Sequence, residues 1–155
     1  MLRIACVILL SLISCLSIFS LEKEKIDNYF HETGMSSVTA IVNKMGTPSQ
    51  ISAIKSGLYV EYKLVYPGCK YKIWDFGDNQ ETMYWLDIEQ TAIEFMGVKV
   101  GSTVSAVRDL LGEPTVKQKT SKYEDYQYNG YKAMIVIEFD SLGIVKYIWY
   151  SPIMD

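Results

Sequence analysis

One short segment is written twice in this chain, and this repeat limits the folds open to it. The first copy runs from Ser36 to Pro48, and the second runs from Ser102 to Pro114. The two copies match without a gap at hydroxyl, apolar, glycine and proline positions, and both are followed by tyrosine-rich sequence. The repeat therefore predicts a duplicated small module rather than a scaffold built around one catalytic centre.

Each copy has the pattern of a short helix. In the first copy the apolar residues between Val38 and Met45 recur at helical spacing. Ser36 or Ser37 can accept from the free backbone N–H groups as the N-cap, and Gly46 suits the left-handed position after the last turn. The second copy supplies the same features with Ser102 or Thr103, Val104 to Leu111, and Gly112.

Three strands are expected after each helix, because runs rich in Tyr, Val and Ile alternate there with turn residues. The expected strands are 58–66, 69–76, 82–88, 123–128, 131–139 and 144–150. The predicted fold class is α+β, with two tandem helix-plus-three-stranded antiparallel meander units that form one sheet with the helices on one face. The units are expected at residues 26–90 and 91–155.

Residues 1–20 have the layout of a signal peptide or lipoprotein leader. A short basic start precedes an apolar run from Ile4 to Phe19, and a charged run follows it. Cleavage after Ser17 or Ser20 is one outcome, and an uncleaved membrane anchor is another. A third is lipidation of Cys15, since Leu12-Ile13-Ser14-Cys15 resembles a lipobox. All three predict an exported chain, periplasmic or tethered at the outer membrane or cell surface.

Composition excludes several classes of function. The formal net charge is −3 and the basic residues are scattered, so no stripe or groove for nucleic acid is expected. After the leader, Cys69 is the one cysteine left, so no disulfide within the folded part is expected. We expect a free structural thiol there. His31 is the single histidine and has no partners in the sequence for a triad or a metal site.

Six acidic residues flank the predicted turns and strands. Paired carboxylates at such places could hydrolyse glycans, but turn formation and solubility explain acids near turns more simply. We therefore predict no catalytic residue, no metal and no cofactor. The acids are Asp75, Asp78, Glu81, Asp87, Glu124 and Asp125.

The tyrosines are the residues that suggest a function. The chain has 12 of them, nearly all in predicted strand regions. Strand propensity explains some of them, but a sheet covered by helices on one face leaves other side chains pointing outward. Tyrosine is enriched in protein contact surfaces. The predicted protein-binding residues are Tyr62, Tyr126, Tyr128, Tyr131 and Tyr147.

The second copy resembles the BamE (SmpA/OmlA) family of small lipoproteins of the outer-membrane β-barrel assembly machinery. The doubled arrangement is similar to the β-lactamase inhibitor protein fold, in which two helix-plus-meander repeats present aromatic side chains on a concave sheet. Both resemblances imply an exported, non-catalytic binding or scaffolding role. The motif that carries the first is Val100-Gly101-Ser102-Thr103, Val107, Leu111-Gly112 and Pro114, followed by Val136-Ile137-Glu138-Phe139-Asp140 and Gly143-Ile144-Val145.

The function predicted from these patterns is a non-catalytic protein-binding or scaffolding module of the bacterial cell envelope. Its partner would be another envelope or extracellular protein. Two alternatives stay open at this stage. One is an envelope glycan-acting enzyme that uses the acids near the turns, and the other is a small-ligand carrier with a cavity between sheet and helices.

Overall fold

A computed structural model describes residues 23–77, 82–120 and 123–153. The predicted leader and Cys15 lie outside the described residues. The helices are α1 (residues 23–32), α2 (Val38–Met45) and α3 (Val104–Leu111). The strands are β1 (Gln50–Ser56), β2 (Tyr59–Tyr66), β3 (Cys69–Asp75), β4 (Met83–Ile88), β5 (Glu94–Phe95), β6 (Val98–Lys99), β7 (Val116–Lys119), β8 (Glu124–Asn129), β9 (Ala133–Phe139) and β10 (Val145–Pro152).

Eight of the described strands form one antiparallel sheet in the order β1-β2-β3-β4-β10-β9-β8-β7. Consecutive strands are neighbours within each half of the sheet, and β4 pairs with β10 where the halves meet. The remaining strands, β5 and β6, form a separate two-stranded hairpin. The sheet therefore has β1 and β7 as its two edges.

The predicted fold class, α+β with two helix-plus-three-strand units, is wrong. The described chain is mostly β, and four strands of the large sheet follow each of α2 and α3. The two strands that the sequence pattern missed are the edge strands β1 and β7, in which every residue is exposed. Because neither strand buries a side chain, neither shows the apolar alternation that reveals a strand. The unit boundaries at residues 26–90 and 91–155 stay predictions.

The two repeated helices begin and end where their caps require. The Ser37 side chain accepts from the backbone N–H of Ala40, and the Thr103 side chain accepts from that of Ala106. Gly46 ends α2 and Gly112 ends α3, each with a positive φ and with its N–H bonded to a carbonyl four residues earlier. The sequence prediction of these two helices is confirmed, and the structure selects Ser37 and Thr103 between the alternatives.

A third helix, α1, covers the centre of the sheet. Phe30 stacks on the ring of Tyr84 in β4, with centroids 4.5 Å apart, and packs edge-on against Tyr150 in β10 at 5.1 Å. Asp27 accepts hydrogen bonds from the backbone N–H groups of Tyr131, Lys132 and Ala133, at 2.9 to 3.0 Å. These contacts fix α1 to both halves of the sheet.

All the helices and the β5–β6 hairpin pack on one face of the sheet, which we call the helix face. The rings of Tyr29 in α1 and Phe95 in β5 lie 4.1 Å apart, and Phe95 also packs against Tyr150. The hydrophobic core lies between these elements and the sheet. Its fully buried members include Phe30, Ile41, Leu64, Tyr71, Ile73, Leu86, Ile88, Phe95, Ile135, Ile137, Phe139 and Ile148.

Candidate binding surface on the open face of the sheet

The face opposite the helices carries a separate set of side chains. In β3, Cys69, Tyr71 and Ile73 are buried under the helices, so the alternating Lys72 and Trp74 point to the other side. The strand registers extend this assignment to the neighbouring strands. We call this side the open face, and the aromatic residues that the strands place on it are Tyr59, Trp74, Trp85, Tyr147 and Trp149; Phe76, just after β3, packs against Tyr59 at 5.3 Å.

Three aromatic rings of the open face form a continuous row across β2, β3 and β4. Tyr59 stacks on Trp74 with ring centroids 4.5 Å apart and an interplanar angle of 22°. Trp74 packs against Trp85 at 4.5 Å and 55°. All three side chains are half-buried, so the row has an exposed surface. Such pairs are rigid, because each ring limits the rotation of its neighbour.

Polar groups hold this aromatic row in place. The indole Nε1 of Trp74 donates to Glu61 Oε2 at 2.7 Å. Lys72 Nζ lies 3.7 Å from the same carboxylate oxygen, and 5.3 and 5.1 Å from the ring centroids of Trp74 and Trp85. These distances fit a cation over two π faces with a partly neutralising carboxylate. These contacts therefore order the row within the chain itself.

The second half of the open face is built around Tyr147 and Trp149 in β10. The Tyr147 hydroxyl donates to Asp87 Oδ1 at 2.8 Å, and Trp149 lies opposite Asp87 in the β4–β10 register. Burial, followed by the hydrogen bond to Asp87, raises the pKa of Tyr147 well above its ordinary value. Tyr147 thus remains a hydroxyl donor throughout the physiological pH range.

The structure places the five predicted binding tyrosines at different sites. Tyr126 and Tyr128 are only 5% and 4% exposed, because they face the helices, so the expectation that they point outward is wrong. Tyr62 is half-buried and packs against the same core. Tyr131 is 60% exposed but lies in the turn before β9. Only Tyr147 of the five lies on the open face.

The tryptophans of the open face were missed by the sequence reasoning. All three tryptophans of the chain lie there. A signal for this was present in the sequence, since Trp74 alternates with Ile73 and Trp85 with Tyr84 and Leu86. Strand alternation places these tryptophans on the face opposite their apolar neighbours.

The acidic residues of the predicted turns have local roles in the described chain. Asp75 accepts from the N–H of Gly77, Asp87 accepts from Tyr147, and Glu124 pairs with Lys119 at 3.3 Å. Asp125 lies opposite Glu138 in the β8–β9 register, and burial, followed by the nearby Glu138 charge, raises its pKa. The other two predicted acids, Asp78 and Glu81, lie outside the described residues.

The remaining reactive side chains are placed as packing or surface residues. Cys69 is a buried free thiol, and burial raises its pKa to about 11, which disfavours the nucleophilic thiolate. His31 is exposed and meets the Tyr84 ring edge-on at 6.1 Å. Within the described residues, no group of three or more His, Cys, Asp or Glu side chains is arranged to hold a metal ion.

None of the helices in residues 23–77, 82–120 and 123–153 has the length and apolar character that a membrane span requires.

Comparisons with known proteins give a distant structural likeness. No family model matches the chain, and no curated protein matches it. Among solved structures, it is similar to a DUF4309 family protein, YjgB, from Bacillus subtilis subsp. subtilis str. 168. The identity is 10% and the TM-score 0.43, over 84% of this chain and 97% of that one.

Proposed function

We propose that this chain is an exported, non-catalytic module of the cell envelope that binds another protein through the open face of its sheet. The observation that carries the proposal is the half-buried row of Tyr59, Trp74 and Trp85, together with Trp149 on the same face. The bacterial envelope location is supported by the apolar leader at residues 1–20.

The energetic argument rests on pre-organised aromatic area. Tryptophan and tyrosine dominate the binding energy of protein interfaces, because each buries a large ring and loses little conformational freedom. The stacked pairs around Trp74 have already lost that freedom in the free protein. A partner that covers the row therefore gains apolar burial at a small entropic cost.

The charges beside the row favour a protein partner. Lys72 and Glu61 lie beside Trp74, and Asp87 lies beside Trp149. An apolar centre with charges of both signs around it matches the anatomy of a protein interface, where the rim stays polar. These charges would set the orientation of the partner more than its affinity.

A cross-linking pull-down from the cell envelope tests the proposal. The variant Trp74→Ala/Trp85→Ala should lose capture of the partner that the unaltered chain retains, with circular dichroism showing an intact sheet. A matched control is Leu58→Ala/Leu142→Ala, since both leucines are 83% exposed and both lie in turns outside the strands. Equal capture by the tryptophan variant and the control variant would refute a role for the open face.

A second candidate function, the small-ligand carrier, is favoured by a cavity between the sheet and the helices. This cleft has a volume of about 440 Å³, which lies within the usual range for ligand sites. Its lining is mostly apolar and belongs to the helix face, so a ligand there would not compete with a partner on the open face.

A further inference from the structure

A cleft opens between α1, α3 and the β5–β6 turn on the helix face; we call it the α1–α3 cleft. Its buried lining includes Ile26, Tyr128 and Ile135, which are all nearly inaccessible. Leu110 and Leu111 of α3 form its upper wall, and Leu110 is 53% exposed. The cleft therefore runs from an apolar floor to an accessible mouth.

The mouth of the cleft carries two lysines. Lys23 and Lys25 both line it; Lys25 is exposed, and Lys23 Nζ also lies 4.9 Å from the centroid of the Tyr131 ring. The one acidic residue in the lining is Glu113, and its carboxylate already pairs with Arg108 and, at 2.9 Å, with Lys117. Hydrogen bonds from Lys117 and Arg108 also lower the pKa of Glu113. The mouth therefore presents net positive charge to a ligand.

The apolar wall is specific to the second copy of the repeat. Leu110 stands where the first copy has Lys44, whose Nζ donates to the carbonyl of Thr33. A lysine at that position satisfies a backbone group and keeps its charge in water. The leucine does neither, and half of its side chain remains accessible beside the cleft. The methyl groups of Leu110 lie against Gly97 in the β5–β6 turn, so the leucine joins α3 to this turn and also forms an accessible wall of the cleft.

Met96 is held over the cleft in a strained backbone conformation. Its φ of 51° is the one positive value among the described non-glycine residues, and it occupies the β5–β6 turn beside Gly97. Asn, Asp or Gly is the favoured residue at that turn position, because a Cβ atom is crowded there by the backbone and the short polar side chain of Asn or Asp offsets the cost by local hydrogen bonding. A flexible methionine side chain instead lines the cleft, where it can adapt to an apolar ligand.

We propose that the α1–α3 cleft binds a single-chain anionic amphiphile of the fatty-acid type, with its alkyl chain against Met96, Leu110 and Leu111 and its carboxylate at Lys23 and Lys25. The apolar lining of the cleft favours an alkyl chain, and the two lysines favour an anionic head group over a cationic one. Binding is non-covalent and reversible. This proposal rests on the second candidate function, the ligand carrier, and is independent of the open face.

Calorimetric titration of the full chain with sodium laurate tests the ligand class. We expect saturable binding with one site per chain, and affinity should rise about fourfold per added methylene from octanoate to laurate. Dodecyltrimethylammonium has a tail one carbon longer and a cationic head, and it should bind at least tenfold more weakly despite the longer tail. Equal binding of the two head groups, or no binding of laurate, would overturn the proposal.

Three variants locate the site. Met96→Asn suits the left-handed turn, so it should keep or raise the melting temperature while weakening laurate binding at least fivefold. Lys23→Glu/Lys25→Glu should weaken laurate binding and spare the cationic amphiphile. Trp74→Ala, on the open face, should change neither the affinity for laurate nor the affinity for the cationic amphiphile. Unchanged laurate affinity in Met96→Asn, with the turn still folded, would place the ligand elsewhere and refute the assignment.

Discussion

The hydroxyl of Tyr128 donates a hydrogen bond to the carbonyl oxygen of Gly112, 3.2 Å away at the end of α3. The first copy repeats the arrangement, since Tyr66 donates to the carbonyl of Gly46 at 3.1 Å. Each tyrosine therefore reaches from the strand next to a sheet edge to the glycine that ends the helix of its own half. Two of the many tyrosines are thus explained by the attachment of helix to sheet.

We expect Tyr128→Ala to destabilise the fold by about 3 to 5 kcal/mol, because the ring is buried and leaves a cavity. Tyr128→Phe should cost about 1 kcal/mol, since the hydrogen bond from the hydroxyl to the carbonyl of Gly112 is lost while the buried ring stays. Urea unfolding monitored by circular dichroism gives both values. Tyr131→Ala is the control, and its 60% exposure predicts a change below about 0.5 kcal/mol. A similar loss in the two alanine variants would contradict this account.

The carboxylate of Glu61 should control how well the indole of Trp74 is ordered. In Glu61→Ala the Nε1 donor loses its acceptor and Lys72 loses its ion-pair partner. We expect acrylamide to quench tryptophan fluorescence more strongly in this variant, and partner binding to fall. Stability should change by no more than about 1 kcal/mol, because the pair is partly solvated.

A control for that experiment is Glu89→Ala. Glu89 pairs with Lys70 at 3.1 Å and has no bond to an indole. Quenching that rises equally in the two variants would argue against a specific role for Glu61.

The N-cap residues of the repeated helices should make comparable contributions to stability. Ser37→Ala and Thr103→Ala each remove the acceptor for an N–H in the first helical turn, so each should cost about 1 kcal/mol. Ser36→Ala leaves the cap of α2 in place and should be close to neutral. Thermal unfolding of the three variants provides the comparison, and a loss confined to Ser36→Ala would reverse the cap assignment.

Asp125 should make stability depend on pH in the acidic range. Its Oδ1 atom is buried and has no hydrogen-bond partner in the described part of the chain, and burial, then Glu138, raises its pKa above the ordinary 3.8. The folded chain therefore holds this proton more tightly than the unfolded chain does. The resulting stability is present below pH 3.8 and is lost as the pH rises through the raised pKa.

Asp125→Asn keeps a neutral side chain at all pH values, so it should remove this part of the pH dependence. At pH 7 the variant should be at least as stable as the unaltered chain. Urea unfolding between pH 3 and 7 measures both effects. A variant that is clearly less stable at pH 7 would show that the charged form of Asp125 is favourable in the fold.

The repeated helices could be predicted because their signals are local. A cap, an apolar stripe and a terminal glycine lie within a dozen residues, and the structure keeps all of them. Strand β1 could not be predicted in this way, because it is held by backbone hydrogen bonds to β2 and buries none of its side chains. Helix α1 was missed for another reason. Its charged start resembles the end of the leader, although Ile26, Tyr29 and Phe30 have helical spacing.

The candidate site was only partly predictable. The sequence indicates that the sheet has an open, aromatic face. Which residues lie on that face depends on the alternation along each strand, and a shift of one residue reverses the assignment. Tyr126 and Tyr128 lie on the helix face, because they pair with Ile137 and Ile135, which point to that face. Trp74 and Trp149 lie on the open face. The α1–α3 cleft depends on where α1 packs, and no local pattern specifies that.

The pairing of β4 with β10 affects the order in which the parts of the sheet form. Every other neighbour in the large sheet is the next strand along the chain, so each half can assemble through fast local hairpins. The join needs Leu86, Asp87 and Ile88 to meet Tyr150, Trp149 and Ile148, although β5 to β9 and α3 lie between them along the chain. We infer that this closure is the slow step. A chain interrupted before β10 would leave β4 as an unpaired edge, open to the same strand of another molecule.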